Sequence, residues 1–149
     1  MKFNSKKVRQ VIATTLCASA LTLTGSIVSF AAPSAPPLTQ ISVKEITSPE
    51  GGKETISSGQ TVTNKDHGGD WLKIKTFEKG YSRVNFGKFN NESMQLVDYQ
   101  GVDLNGDRVY DGFYYYWRID KPFTEGKFTT QSTSTNAPWN TMSTYIDIK

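Results

Sequence analysis

Beyond residue 40 the chain alternates hydrophobic and polar positions with a period of two. In "WLKIKTF", Trp71, Lys73 and Lys75 fall on one side and Leu72, Ile74 and Thr76 on the other; further on, Tyr145 and Asp147 oppose Ile146 and Ile148. Such alternation marks strands that turn one face to a core. Runs rich in β-branched and aromatic residues recur, "ISVKEI", "WLKIKTF", "YSRVNFGKF", "MQLVDYQGV", "RVYDGFYYYWRI", "GKFTTQST" and "STYIDI". Turn formers separate them at short intervals: "SPEGGK", "SSGQ", "NKDHGGD", "EKG", "KFNNES", "NGD", "KPFTEG" and "TNAPWN". No window of helical periodicity follows the N-terminal segment. The spacing predicts an all-β domain over residues 41–149, a single antiparallel β-sandwich or barrel.

The first 31 residues obey another pattern. "MKFNSKKVRQ" holds Lys2, Lys6, Lys7 and Arg9 without an acid, and the apolar run "VIATTLCASALTLTGSIVSF" follows directly. That is the layout of a secretory signal peptide. A small-residue site fits cleavage after Ala31, with Ser29 three positions in from the cut and Ala32 as the mature start. Thr14, Thr15, Ser19, Thr22, Thr24 and Ser26 dilute the run relative to a bilayer span, so no stable membrane anchor is expected after cleavage. Cys17 follows Leu16 rather than the small residue of a lipoprotein signal. Residues 32–40, "APSAPPLTQ", are Pro-rich and read as a flexible arm.

Removal of the leader changes the charge argument. Of 17 Lys and Arg, four lie in residues 1–31, so 13 face all 14 acids in the mature chain. A basic protein would have suggested nucleic acid; this one is near neutral, Arg83, Arg108 and Arg118 are scattered, and nucleic acid is not an expected partner. The single cysteine leaves with the leader, so the domain is expected to hold without a disulfide.

One stretch looks like site chemistry. In "VDLNGDRVYDG", residues 102–112, Asp103, Asn105, Asp107, the carbonyl of Val109 and Asp111 occupy the alternate positions from which a loop ligates calcium. The phrase "DLNGDRVYD" resembles the D-x-N-G-D-G-x-x-D loop of FG-GAP and dockerin-type extracellular repeats, over nine residues only. The resemblance implies calcium as a ligand of those five residues. It departs in two places: Arg108 stands where the turn glycine belongs, and Tyr114 stands where a bidentate acid belongs, leaving Asp98 or Asp120 to supply one. The competing reading is a two-residue type I′ hairpin at Asn105-Gly106. It pairs Leu104 with Asp107, Asp103 with Arg108, Val102 with Val109 and Gly101 with Tyr110, which makes Arg108 the natural partner of an acid. The hairpin is the first expectation and calcium the second.

The strand after that motif, "VYDGFYYYWRIDKP", sets Phe113, Tyr115 and Trp117 on one face and Tyr114 and Tyr116 on the other, with Tyr99 and Tyr110 able to join the second set. One face must be core. The other is a tyrosine ladder suited to stacking sugar rings or packing on a protein. His67, flanked by Asp66 and Asp70, is the only histidine, and no nucleophile motif, zinc spacing or phosphate loop accompanies it. No enzymatic activity is expected. "GGDW" (Gly68, Gly69 and Trp71) resembles the G-G-x-W element of lactococcin-972-like bacteriocins, which implies a secreted antibacterial toxin as an alternative; the chain is longer than those peptides and lacks their downstream histidines. A small hydrolase or hydrolase inhibitor is a further alternative. The main expectation is a secreted, extracellular bacterial β-domain that binds glycan, cell wall or protein through Tyr99, Tyr110, Tyr114 and Tyr116.

Overall fold

The computed structural model describes residues 35–149; the expected leader, its cleavage after Ala31 and the first residues of the arm lie outside the described residues. Nine strands follow one another: β1 (Gln40–Ser48), β2 (Gly52–Thr55), β3 (Leu72–Lys79), β4 (Ser82–Phe89), β5 (Glu92–Ser93), β6 (Gln95–Val102), β7 (Gly112–Ile119), β8 (Gly126–Ser134) and β9 (Thr141–Ile148). They pair antiparallel in two sheets, β2-β1-β3-β7-β6 and β5-β4-β8-β9. The sheets pack face to face as a sandwich rather than closing into a barrel, and no helix occurs among the described residues. Each apolar run of the sequence becomes a strand. β2 and β5, by contrast, lie inside segments read as turns, where only pairing to a longer neighbour makes them strands.

Alternation fixes what faces the core. Leu72, Ile74 and Thr76 point inward, as do Ile146 and Ile148, and all five are buried. They meet Ile46, Phe89, Phe128 and Trp117 in one apolar cluster drawn from both sheets. Burying side chains of this size contributes about 1.5–3 kcal/mol each. The Trp117 indole N–H donates to Thr76 Oγ1 at 3.1 Å, so the one polar atom of that ring is satisfied inside the core. Gly87 on β4 is what lets the ring in: a Cβ there would lie 2.5 Å from Trp117 Cε3.

Along β3 and β8 the interior then turns polar. Glu78, Thr130, Ser132 and Ser134 are buried between the sheets. The hydroxyl of Ser132 donates to Glu78 Oε1 at 2.5 Å, and that of Ser82 donates to Oε2. Burial pushes the Glu78 carboxyl up from its ordinary pKa, and the two serine donors offset part of that rise.

Over its described part, the arm expected to be flexible is hydrogen-bonded to the sandwich. Leu38 is buried, its N–H donates to Ser134 Oγ at 3.1 Å, Thr39 N–H donates to Lys79 O at 2.9 Å, and Tyr81 N–H donates to Pro36 O at 2.9 Å. Proline content suggested mobility, but proline leaves carbonyls free to accept, and this segment uses them. The domain therefore begins upstream of residue 41.

Candidate functional site

Cross-strand partners share a face of a sheet. β3 and β7 pair Lys73 with Arg118, Lys75 with Tyr116 and Phe77 with Tyr114. Because Leu72, Ile74 and Thr76 are core, these six point outward. β6 adds Asp98 opposite Tyr116 and Gln100 opposite Tyr114, and β1 adds Glu45 opposite Lys75. The outer face of the five-stranded sheet is therefore a band of rings and charges. Tyr114 and Tyr116 lie half-buried and adjacent in it.

The rings and cations are interleaved. The Lys75 ammonium sits 3.9 Å from the Tyr114 ring centre and 5.3 Å from that of Tyr116. Lys73 and the Arg118 guanidinium approach Trp71 at 5.5 and 5.3 Å, and Lys44 approaches Phe77 at 5.8 Å. Each such contact is worth about 0.5–1 kcal/mol at an exposed site, so it is easily exchanged. Phe77 breaks the inward-buried rule: its outward ring is covered by Tyr114, 5.1 Å away between centres. Arg118 binds Asp120 through Nε at 2.8 and 2.9 Å and holds its carboxyl below the usual range. A cleft of about 210 Å3 opens in this face, with Lys73, Lys75, Tyr116, Glu45, Thr47 and Asp98 on its walls.

Tyr99 and Tyr110 do not join Tyr114 and Tyr116. Tyr99 pairs with Tyr115 on the opposite side of the sheet. Tyr110 lies across Gly101 and meets Phe113 edge-on at 5.9 Å, also on that side. The displacement follows from the loop before β7. Only Gly112 onward pairs with β6, opposite Val102, so residues 103–111 form a nine-residue loop and not the expected two-residue hairpin. The expected pairs Leu104–Asp107, Asp103–Arg108, Val102–Val109 and Gly101–Tyr110 do not form.

The loop is organised by its own acids. Asp103 accepts N–H bonds from Asn105 at 3.2 Å, Gly106 at 2.6 Å and Arg108 at 2.8 Å. Asp107 accepts from Val109 N–H at 2.8 Å, and Asp111 accepts from Leu104 N–H at 2.6 Å. The Arg108 amide, ahead of the other donors, keeps the Asp103 carboxyl below its ordinary pKa. Gly106 and Arg108 both have positive φ, 81° and 70°, while Asn105 does not. Arg108 thus adopts the left-handed turn that calcium loops give to glycine at that place. Of the five residues with calcium spacing, Asp103, Asn105, Asp107, Val109 and Asp111, all lie in this loop. No group of three or more His, Cys, Asp or Glu converges to metal-binding distance among the described residues.

His67 is buried against inward-facing residues of β1 and β2. The Ser48 hydroxyl accepts from Gly51 N–H at 3.1 Å and is hydrogen-bonded to His67 Nδ1, 2.8 Å away. The Glu54 carboxylate can only accept, so Nε2–H donates to Glu54 Oε2 at 3.3 Å. Glu54 also accepts from Asn64 and Lys65 N–H and from Gln60 Nε2, at 2.8, 2.9 and 2.9 Å. Burial opposes its ionisation, but these donors together hold its pKa below the ordinary value. The arrangement ties β1 and β2 to the segment 60–67. Asp66 and Asp70, the flanking acids, are not its partners; Ser48 and Glu54 are, and nothing in their local sequence marks them.

A family model described as a domain of unknown function (DUF4879) matches residues 31–148. No curated protein and no solved structure matches the chain significantly.

Proposed function

The chain belongs to the DUF4879 family, and on that premise we propose that it is a secreted, non-enzymatic β-domain that binds an extracellular target, cell wall, glycan or protein, through the outer face of its five-stranded sheet. One observation carries the reading. Tyr114 and Tyr116 stand side by side on a sheet face, with the Lys75 ammonium against both rings and an open cleft beside Tyr116. Tyrosine offers apolar area and a hydrogen-bonding tip at low entropic cost. Secretion rests on the leader's residues. Calcium is proposed as a ligand of the loop 103–111, supported by its carboxylate spacing and by the left-handed turn at Arg108.

The test is retention on purified bacterial cell wall. Tyr114→Ala and Tyr116→Ala are each expected to weaken it by about tenfold, or about 1.4 kcal/mol, with little change in melting temperature for Tyr116→Ala and a modest fall for Tyr114→Ala, which uncovers Phe77. Undiminished retention in the double variant overturns the reading. A large fall in melting temperature with retention per folded molecule intact would assign the rings to packing.

A further inference from the structure

We infer that the ligand of this face is an acidic glycan, a polymer whose sugar rings carry carboxylate or sulfate groups; the inference rests on the binding face proposed above and adds the ligand's charge and class. The first support is the distribution of charge. Six cations lie on the outer face or over its rings, Lys44, Lys53, Lys73, Lys75, Lys79 and Arg118, against three acids, Glu45, Asp98 and Asp120. With 13 cations and 14 acids in residues 35–149, the rest of the domain keeps seven cations and eleven acids. A near-neutral domain thus carries an excess of three cations on this face and of four acids elsewhere, and an excess of one sign draws the opposite charge. Ion pairs account for two of the six: Lys53 meets Glu45 at 2.6 Å and Arg118 meets Asp120 at 2.5 Å. Lys44, Lys73, Lys75 and Lys79 enter no ion pair among the described residues.

The second support is that the cations cover the rings. With its ammonium 3.9 Å from the centre of Tyr114, Lys75 occupies the surface on which a neutral sugar would have to stack. An anionic substituent offers the ammonium a stronger partner than a ring face does, since charge-assisted bonds exceed cation–π contacts at exposed sites. Moving Lys75 onto the anion bares Tyr114 for the sugar that carries it. A neutral glycan has nothing to exchange for that contact.

The cleft decides between polyanions. Its walls combine Lys73 and Lys75 with the carboxylates of Glu45 and Asp98, the hydroxyl of Thr47 and Tyr116. Duplex DNA brings one charge per about 1.7 Å of axis, and two carboxylates in the same cleft repel so dense a row. A sugar ring brings hydroxyls, which donate to carboxylates, and a spaced anion, which suits lysines about 6.8 Å apart on alternate strand positions.

The experiment measures retention of the purified full chain, at low and at raised salt, on immobilised polygalacturonate, dextran sulfate and neutral dextran, on duplex DNA and on phosphatidylglycerol vesicles. Expected are binding to both acidic glycans that falls with salt, at least about tenfold weaker binding to dextran, and loss of about tenfold in Lys73→Gln/Lys75→Gln with an unchanged melting temperature. Equal binding to dextran overturns the charge inference while leaving an aromatic binding face in place. DNA or vesicles held as tightly as polygalacturonate overturn the glycan assignment. No retention on any acidic glycan, combined with cell-wall binding that still depends on Tyr114 and Tyr116, likewise removes this inference alone; cell-wall binding indifferent to both tyrosines and both lysines removes the face itself.

Discussion

Glu78 is a carboxyl held between two sheets by hydroxyls alone, Ser132 from β8 and Ser82 from β4, with Tyr115 nearby. Burial raises its pKa, and it acts in the same direction on the Tyr115 phenol, which the Glu78 charge pushes up further. The sign of the stability effect follows. With its pKa higher in the folded than in the unfolded chain, Glu78 makes the folded state bind the proton more tightly, so its contribution is complete below the ordinary value of 4.5 and is lost as pH rises through the raised one. Glu78→Gln keeps the shape but cannot ionise, and one of the two serine hydroxyls turns to accept from its amide. Its melting temperature should exceed that of the parent at pH 7, and the two should converge near pH 4. An advantage that persists unchanged at pH 4 would mean that charge burial is not the cause. In the sequence "TFEKG" reads as a strand end running into a turn; period two puts Glu78 on the Thr76 side, and it is internal because β3 stays paired with β7 as far as Lys79.

At the scale of elements, the β6–β7 connection separates what pattern can and cannot tell. The strands were legible because period two is a local property; Tyr114 and Tyr116 on the face away from Phe113, Tyr115 and Trp117 needed nothing else. In the sequence the connection reads as a hairpin because Asn105-Gly106 is a strong local turn signal, whereas the loop is set by Asp103 collecting three N–H donors spread over residues 105–108. That competition has no counterpart in pairwise strand energies, and its outcome moved Tyr110 to the other side of the sheet. That Ser48 and Glu54 are the partners of His67 is not legible for a related reason: the contacts span 19 and 13 residues across two turns. The loop makes its own prediction. Arg108 at φ 70° bears left-handed strain of about 1–2 kcal/mol, and glycine there removes it at an unfolded-state cost of about 0.5–1 kcal/mol. Arg108→Gly should therefore raise stability by up to about 1 kcal/mol without calcium. Removing a cation from the loop should also deepen any rise in melting temperature with millimolar calcium, where such open loops bind at about 10⁻⁴–10⁻³ M. Melting curves of both proteins with calcium and with chelator check each part; no calcium response in either ends the metal reading.

For the whole molecule, the question is what keeps two sheets in register without a disulfide. The apolar cluster fills one end of the sandwich, but the other end is polar and contributes less burial. There the segment before β1 does the joining. Leu38 lies buried between the ends of both sheets, its N–H on Ser134 of β8 and its carbonyl taking the Asn140 side-chain amide at 3.0 Å. Next to it Thr39 bonds β3 at Lys79, and on the other side Ala35 accepts from the Asn136 side chain at 2.7 Å. The segment thus stitches the five-stranded sheet to the four-stranded one at the end where hydrophobic packing is weakest. Gly80 is placed to admit it, since a Cβ there would meet Pro37 O at 2.0 Å. A side chain that the sequence assigns to a mobile arm should therefore behave as core. Leu38→Ala is expected to cost about 2–5 kcal/mol in urea unfolding, whereas Val62→Ala, at a position 44% exposed, should change the midpoint little. A Leu38→Ala protein as stable as the parent would return residues 35–39 to the status of a tether. The loss should also appear as faster amide exchange at Ser134 and Lys79 than at Phe128, because the polar end would open first while the apolar cluster stays closed.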